Sequence, residues 1–271
     1  MKISRVAIGF LAVFCSVIPT ETHAEIVPAE DGAFHVRAGG DIQDALDAAA
    51  AADARHKHVK VHAGTYRPAT HKQAFLHFNR RHDGITLEAV GDVILTAANP
   101  DVARPDDPGF PAIVNHVVYF GDGVNRGTIL RGFKITGANN FVIEREGIYS
   151  IEPDPVAPGL EKSFFFYADG GGIKIFGRSY PILENLEVYE NYSSPCGAGI
   201  SIEHQNHNAD AVRIRNCIFR NNSCPVTGSA LDLLWNSWAI VENCLFVDNQ
   251  SNCPMDQRAA KIGKWKPDHG A

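Results

Sequence analysis

The chain has 271 residues, 45% of them hydrophobic, with 25 basic and 31 acidic side chains. That is enough apolar material for one elongated core, while a net charge of -6 argues against a nucleic-acid partner. The leading apolar run, Val6 to Ile18, covers only 13 residues, well short of the roughly 20 that a membrane-spanning helix needs.

Residues 1–24 read as a secretory signal. Lys2 and Arg5 precede the apolar run, and Thr22-His23-Ala24 supplies a small-x-Ala cleavage site. Cleavage there leaves 23 basic and 30 acidic side chains, a charge of -7, in one domain over 25–254. The implied location is secreted, periplasmic or cell-surface. A helix is predicted over 41–53, with Asp41 as N-cap and Ile42-Gln-Asp-Ala-Leu as its first turns. The strand Val59-Lys-Val-His-Ala and the turn Gly64-Thr65-Tyr66 follow it. Two irregular strand groups come next, Phe75-Leu-His-Phe to Ile94 and Val117-Val-Tyr-Phe to Ile135, separated by a Pro- and Asp-rich loop over 97–115. An insertion over 141–169 carries several acidic residues and the aromatic run Phe164-Phe-Phe-Tyr167, which predicts a docked segment.

From Gly170 to Asn249 the chain repeats itself three times. Asn185, Asn216 and Asn243 are spaced 31 and 27 residues apart, and Asn191, Asn222 and Asn249 each follow by six. Apolar residues alternate with period two, as in Ile173/Ile175, Ile200/Ile202 and Leu231/Leu233. Period two means strand, and strands this short must stack on neighbouring repeats to bury an apolar side. Stacking brings like positions to about 4.8 Å, so the Asn residues form columns at turns, and Leu183, Ile214 and Val241 stack inside. Leu186, Cys217 and Cys244 form a second inner column, and Val188, Phe219 and Phe246 a third. Cys196, Cys224 and Cys253 fall on the turns beside Pro195, Pro225 and Pro254. Bridges between coils and free thiols are both open there. A tail over 255–271 ends the chain.

The Gly-Gly-Gly-Ile and Gly-x-Gly-Ile starts, the Asn-Cys pairs and Phe219 to Asn222 and Phe246 to Asn249 resemble the right-handed parallel β-helix repeats of the pectin-lyase-like superfamily. The repeats are most similar to those of polymorphic outer-membrane proteins. The opening order of Ile-Gln-x-Ala, short helix, strand and Gly-Thr-Tyr resembles the same superfamily. The resemblance implies an all-β solenoid of about six coils with an N-terminal capping helix. It leaves function open, because such folds carry lyases, hydrolases and non-catalytic adhesins.

Alternation places His77, Tyr119, Lys174, Ser201 and Asp232 in one outward column, with Glu203 two residues further along its strand. Lys174, Glu203 and Asp232 are the candidate catalytic residues, and Tyr119, His204, Trp235 and Trp238 the candidate substrate-binding ones, on a face walled by the insertion. Lyase chemistry would use Lys174 beside a Ca²⁺ site. Hydrolysis would use Glu203 and Asp232 as a carboxylate pair, about 8 Å apart at Cα. The sequence identifies no metal ligands: His204 and His207 lie on a polar turn. The expected function is a secreted β-helix protein that binds an extracellular polysaccharide, with cleavage by a lyase or hydrolase mechanism as its catalytic form. The alternative is a non-catalytic surface or adhesive repeat protein.

Overall fold

The computed structural model describes residues 26–101, 112–140 and 157–253. Residues 1–25, where a signal segment is expected, the tail over 255–271 and most of the insertion therefore lie outside the described residues.

The described strands fall into six coils. The first holds β1 (Phe34–Val36), helix α1 (Ile42–Ala51) and β2 (His58–Tyr66), and the second β3 (Lys72–Phe78) and β4 (Thr86–Thr96). The third holds β5 (Val114–Phe120), β6 (Ile129–Arg131), β7 (Lys134–Thr136) and β8 (Asn139–Asn140). Helix α2 (Phe164–Ala168) leads into the fourth, with β9 (Ile173–Phe176), β10 (Ile182–Glu184), β11 (Glu187–Tyr189) and β12 (Tyr192–Ser193). The fifth has β13 (Ile200–Glu203), β14 (Val212–Arg215) and β15 (Ile218–Arg220), and the sixth β16 (Leu231–Leu234), β17 (Ala239–Glu242) and β18 (Leu245–Val247).

One sheet runs β3-β5-β9-β13-β16, and a larger one folds around the corner between β10 and β11 and their equivalents. The strand pairs in both are parallel, so the architecture is a parallel β-helix.

The corner has a local cause. Gly132, Asn185, Asn216 and Asn243 all take left-handed backbone, with φ of 83°, 53°, 54° and 51°. Asn tolerates that region because its short polar side chain bonds locally. The corner column is exposed, and Asn243 Nδ2 donates to Asn216 Oδ1 at 2.7 Å. The second column forms an internal ladder: Asn191 Nδ2 donates to Asn222 Oδ1 at 3.1 Å, and Asn222 Nδ2 to Asn249 Oδ1 at 2.9 Å. Asn222 Nδ2 also reaches the Val188 carbonyl at 2.9 Å. These amides satisfy backbone groups that the turn would otherwise bury unpaired.

The inner columns stack in register, Leu183 on Ile214 on Val241 and Val188 on Phe219 on Phe246. The Phe219 and Phe246 rings lie 4.9 Å apart and nearly parallel. In the sixth coil the core lies open, with Val241 41% and Phe246 47% exposed, since no further coil covers it among the described residues. All five described cysteines are free, including Cys196, Cys224 and Cys253.

Helix α1 closes the other end. Asp41 caps it as expected, its Oδ1 accepting from the Gln43 and Asp44 amides at 2.7 and 3.1 Å. It spans Ile42–Ala51 rather than 41–53, because Asp53 caps a separate 3₁₀ turn at Ala54–His56. Ile42, Ala45, Leu46 and Ala49 form its buried stripe. Gln43 pairs with the edge of β3, accepting from His77 N at 2.9 Å and donating to His77 O at 3.2 Å. A side-chain amide thus stands in for a missing strand.

Candidate functional site

The register aligns the outward column as alternation predicts. His77 pairs with Tyr119, Tyr119 with Lys174, Lys174 with Ser201 and Ser201 with Asp232. Glu203 lies between Phe176 and Leu234 in the parallel row.

The expectation of an accessible outward face needs correction. Lys174 and Glu203 are fully buried and Asp232 is 8% exposed. The described end of the insertion, residues 157–169, lies on the sheet and seals it. Phe166 packs edge-on against Tyr119, Phe176 and Tyr167. The carbonyls of α2 and of Gly170 then consume the polar side chains below. Phe165 O accepts from Lys174 Nζ at 3.1 Å. Tyr167 O accepts from Gln73 Nε2 and Asn115 Nδ2, both at 3.1 Å. Gly170 O lies 2.8 Å from His116 Nδ1. Helix ends leave carbonyls unpaired, and here the sheet supplies their donors.

Farther along, the Gln205 side-chain amide donates to Glu161 O at 2.6 Å and accepts from Glu161 N at 2.8 Å, and Arg178 holds Asp122 at 2.8 Å while reaching the Pro158 carbonyl. The insertion is a lid fastened along its described length.

Beneath it Lys174 Nζ meets Glu203 Oε2 at 2.8 Å and Ser201 Oγ at 3.2 Å. The other Glu203 oxygen accepts from Gln205 Nε2 at 2.7 Å. Asp169 Oδ1 accepts from the Cys196 amide at 2.9 Å. Burial pushes the Asp169 carboxyl well above the usual range, against the pull of Lys174, and raises Asp232 to about 6. Burial likewise drives the Cys196 thiol far up. His116 is held neutral, its pKa lowered to about 3 by burial and then by Lys174. Its ring nitrogens face Gly170 O and Gln73 Nε2, so Nδ1 carries the proton and Nε2 accepts.

The candidate binding residues divide in two. Tyr119 and His204 are fully buried, and His204 sits between the Ser179 carbonyl at 3.1 Å and the Trp238 amide at 3.4 Å, joining adjacent coils. Trp235 and Trp238 are 51% and 54% exposed. They flank the turn after β16, where Asn236 Nδ2 donates to Asn206 Oδ1 at 2.8 Å across two coils. A cleft of about 360 Å³ lies elsewhere, between the start of α1 and the β2–β3 connection, lined by residues including Asp41, Tyr66, Arg67 and Lys72 but by none of the candidates.

Sequence reasoning missed Asp169, Cys196, His116, Gln73 and Asn115 as members of this polar layer. Gln73, Asn115 and His116 precede the regular repeats, and Asp169 lies outside the strands, so no period marks them, while Cys196 was legible as a turn cysteine but not as a neighbour of Asp169. The one available signal was Asp169 itself, an acid standing against Gly170-Gly171-Gly172 where the repeats begin.

A family model described as a right-handed beta helix region matches residues 116–261. No curated protein and no solved structure matches the chain.

Proposed function

The chain belongs to the right-handed β-helix family, and within that architecture we propose that it is an exported protein that binds an extracellular polysaccharide without cleaving it. The observation that carries this reading is a contrast in access. The candidate acids and base lie sealed beneath α2, whereas Trp235 and Trp238 stand half exposed beside a paired amide ladder. A hydrolase needs both carboxylates at the glycosidic bond, and no sugar reaches Glu203 with α2 in place. A binder needs only aromatic faces for sugar rings and amides for their hydroxyls. Lys174 and, through Gln205, Glu203 then hold the lid rather than perform chemistry.

Affinity electrophoresis of the whole chain through gels containing uronate-rich or neutral polysaccharides tests this. Retardation by at least one polymer, reduced about tenfold in apparent affinity by Trp235→Ala/Trp238→Ala, is expected, since tenfold corresponds to about 1.4 kcal/mol. Equal retardation of wild type and variant would remove these residues from the binding surface. The adhesive reading has its own support in the exposed apolar residues of the sixth coil, Val241, Leu245, Phe246 and Val247. Under it no gel retards the chain.

A further inference from the structure

The layer beneath α2 contains two acids besides the one that pairs directly with Lys174. Lys174 is matched by Glu203 at 2.8 Å, and both are fully buried. Asp169 is fully buried and Asp232 is 8% exposed, yet Oδ2 of each is buried with no hydrogen-bond partner. Such groups are costly to leave unpaired. Cys196 stands beside them, its amide fixed on Asp169 Oδ1 at 2.9 Å. One ligand atom from each of the three residues, the Cys196 sulfur among them, lies within 4.8 Å of the others. Glycine makes the space: a Cβ at Gly228 would sit 2.6 Å from Asp232 Oδ1.

We propose that Asp169, Cys196 and Asp232 bind one zinc-like divalent cation, which pins the end of α2 to the turn before β13 and to β16. The donor set selects the metal class. Two carboxylates and a thiolate suit borderline ions that take four ligands, whereas Ca²⁺ and Mg²⁺ take six or more oxygens. Zinc ligands at about 2.0–2.3 Å from the metal require the three donors to close by roughly 1 Å from their present spread. Binding such an ion would release to solvent any proton that its ligands carry. The Asp169–Cys196 amide contact orients one ligand by another, as outer contacts do in metal sites.

The test uses the whole chain, reduced, stripped with a chelator and dialysed. Titration with Zn²⁺ against a chromogenic chelator should show one tight equivalent, and Co²⁺ should give a thiolate-to-cobalt charge-transfer band. Saturating Zn²⁺ should raise the melting temperature by about 5–10 °C. Cys196→Ser should abolish the band. Asp232→Asn, which keeps the shape and removes the charge, should weaken Zn²⁺ at least about a hundredfold. Cys253→Ser should change neither. If Cys196→Ser does not fold by circular dichroism, Asp232→Asn carries the decision. No retained equivalent, or a band and an affinity that survive both variants, overturns the site and assigns any bound metal to other thiols.

Discussion

Replacing Lys174 by Met removes the cation at the centre of the sealed layer. Its ammonium makes three contacts, with Glu203 at 2.8 Å, Phe165 O at 3.1 Å and Ser201 at 3.2 Å, and neither ion-pair partner touches solvent. The methionine fills much of the volume but leaves the Glu203 carboxylate buried with Gln205 as its donor. Breaking one side of a buried pair costs about 3–5 kcal/mol. Phe165 O keeps the Asp169 amide as a donor, so the middle of that range applies. Urea unfolding followed by circular dichroism reads the effect. With a slope of about 2–3 kcal/mol/M, a loss of about 4 kcal/mol lowers the midpoint by roughly 1.5–2 M. Lys174→Met/Glu203→Leu should recover about 2–3 kcal/mol relative to the sum of the single changes, because no charge is then stranded. A Lys174→Met midpoint within about 0.3 M of wild type would mean that the pair is hydrated and that α2 does not seal it.

The two asparagine columns should respond differently. Asn222→Leu, on the buried ladder, breaks the bonds to Val188 O and Asn249 and strands the donors of Asn191, which should cost about 3 kcal/mol and some 6–12 °C in melting temperature. Asn216→Leu, at the exposed corner with φ 54°, should cost only about 1–2 kcal/mol, while Asn216→Gly stays near neutral. Equal losses would show that the two columns are energetically alike. His77 gives a pH signature: burial, then the neighbouring His82, lowers its pKa to about 4, with Lys72 and Arg81 acting in the same direction and Asp47 opposing them. Its unfolded value lies near 6.5, so the unfolded chain binds the extra proton, and stability present above pH 6.5 drains away as pH falls toward 4. Between pH 7 and pH 5 wild type should lose about 1–2 kcal/mol more than His77→Gln. Parallel pH curves for the two would refute the burial of that ring.

Much of the coil geometry is legible in the sequence because strand alternation and stacking are both periodic. The pairing of Lys174 with Ser201 and Ser201 with Asp232 follows from counting, as do the corner at Asn185, Asn216 and Asn243 and the Leu183, Ile214, Val241 column. Direction is not accessibility, however. Period two says that Lys174 leaves the core, but what meets it is a non-periodic segment whose docking depends on the packing of Phe166 and on hydrogen bonds from the sheet to the carbonyls of Phe165, Tyr167 and Gly170. The same limit hid Asp169 and the place of Cys196 beside it, since both enter the layer from outside the strands. Trp235 and Trp238 were legible as neighbours of the column, and they are half exposed at the turn after β16.

The most direct measurement incubates the whole chain with the polysaccharides that retard it, with and without Ca²⁺, and follows reducing ends and unsaturated-product absorbance over the same samples. A binder whose acids lie sealed under α2 gives retardation and no product at any time point. Product that accumulates with wild type and disappears with Glu203→Gln would contradict the account, since it would place a sugar against a carboxylate that the fold encloses.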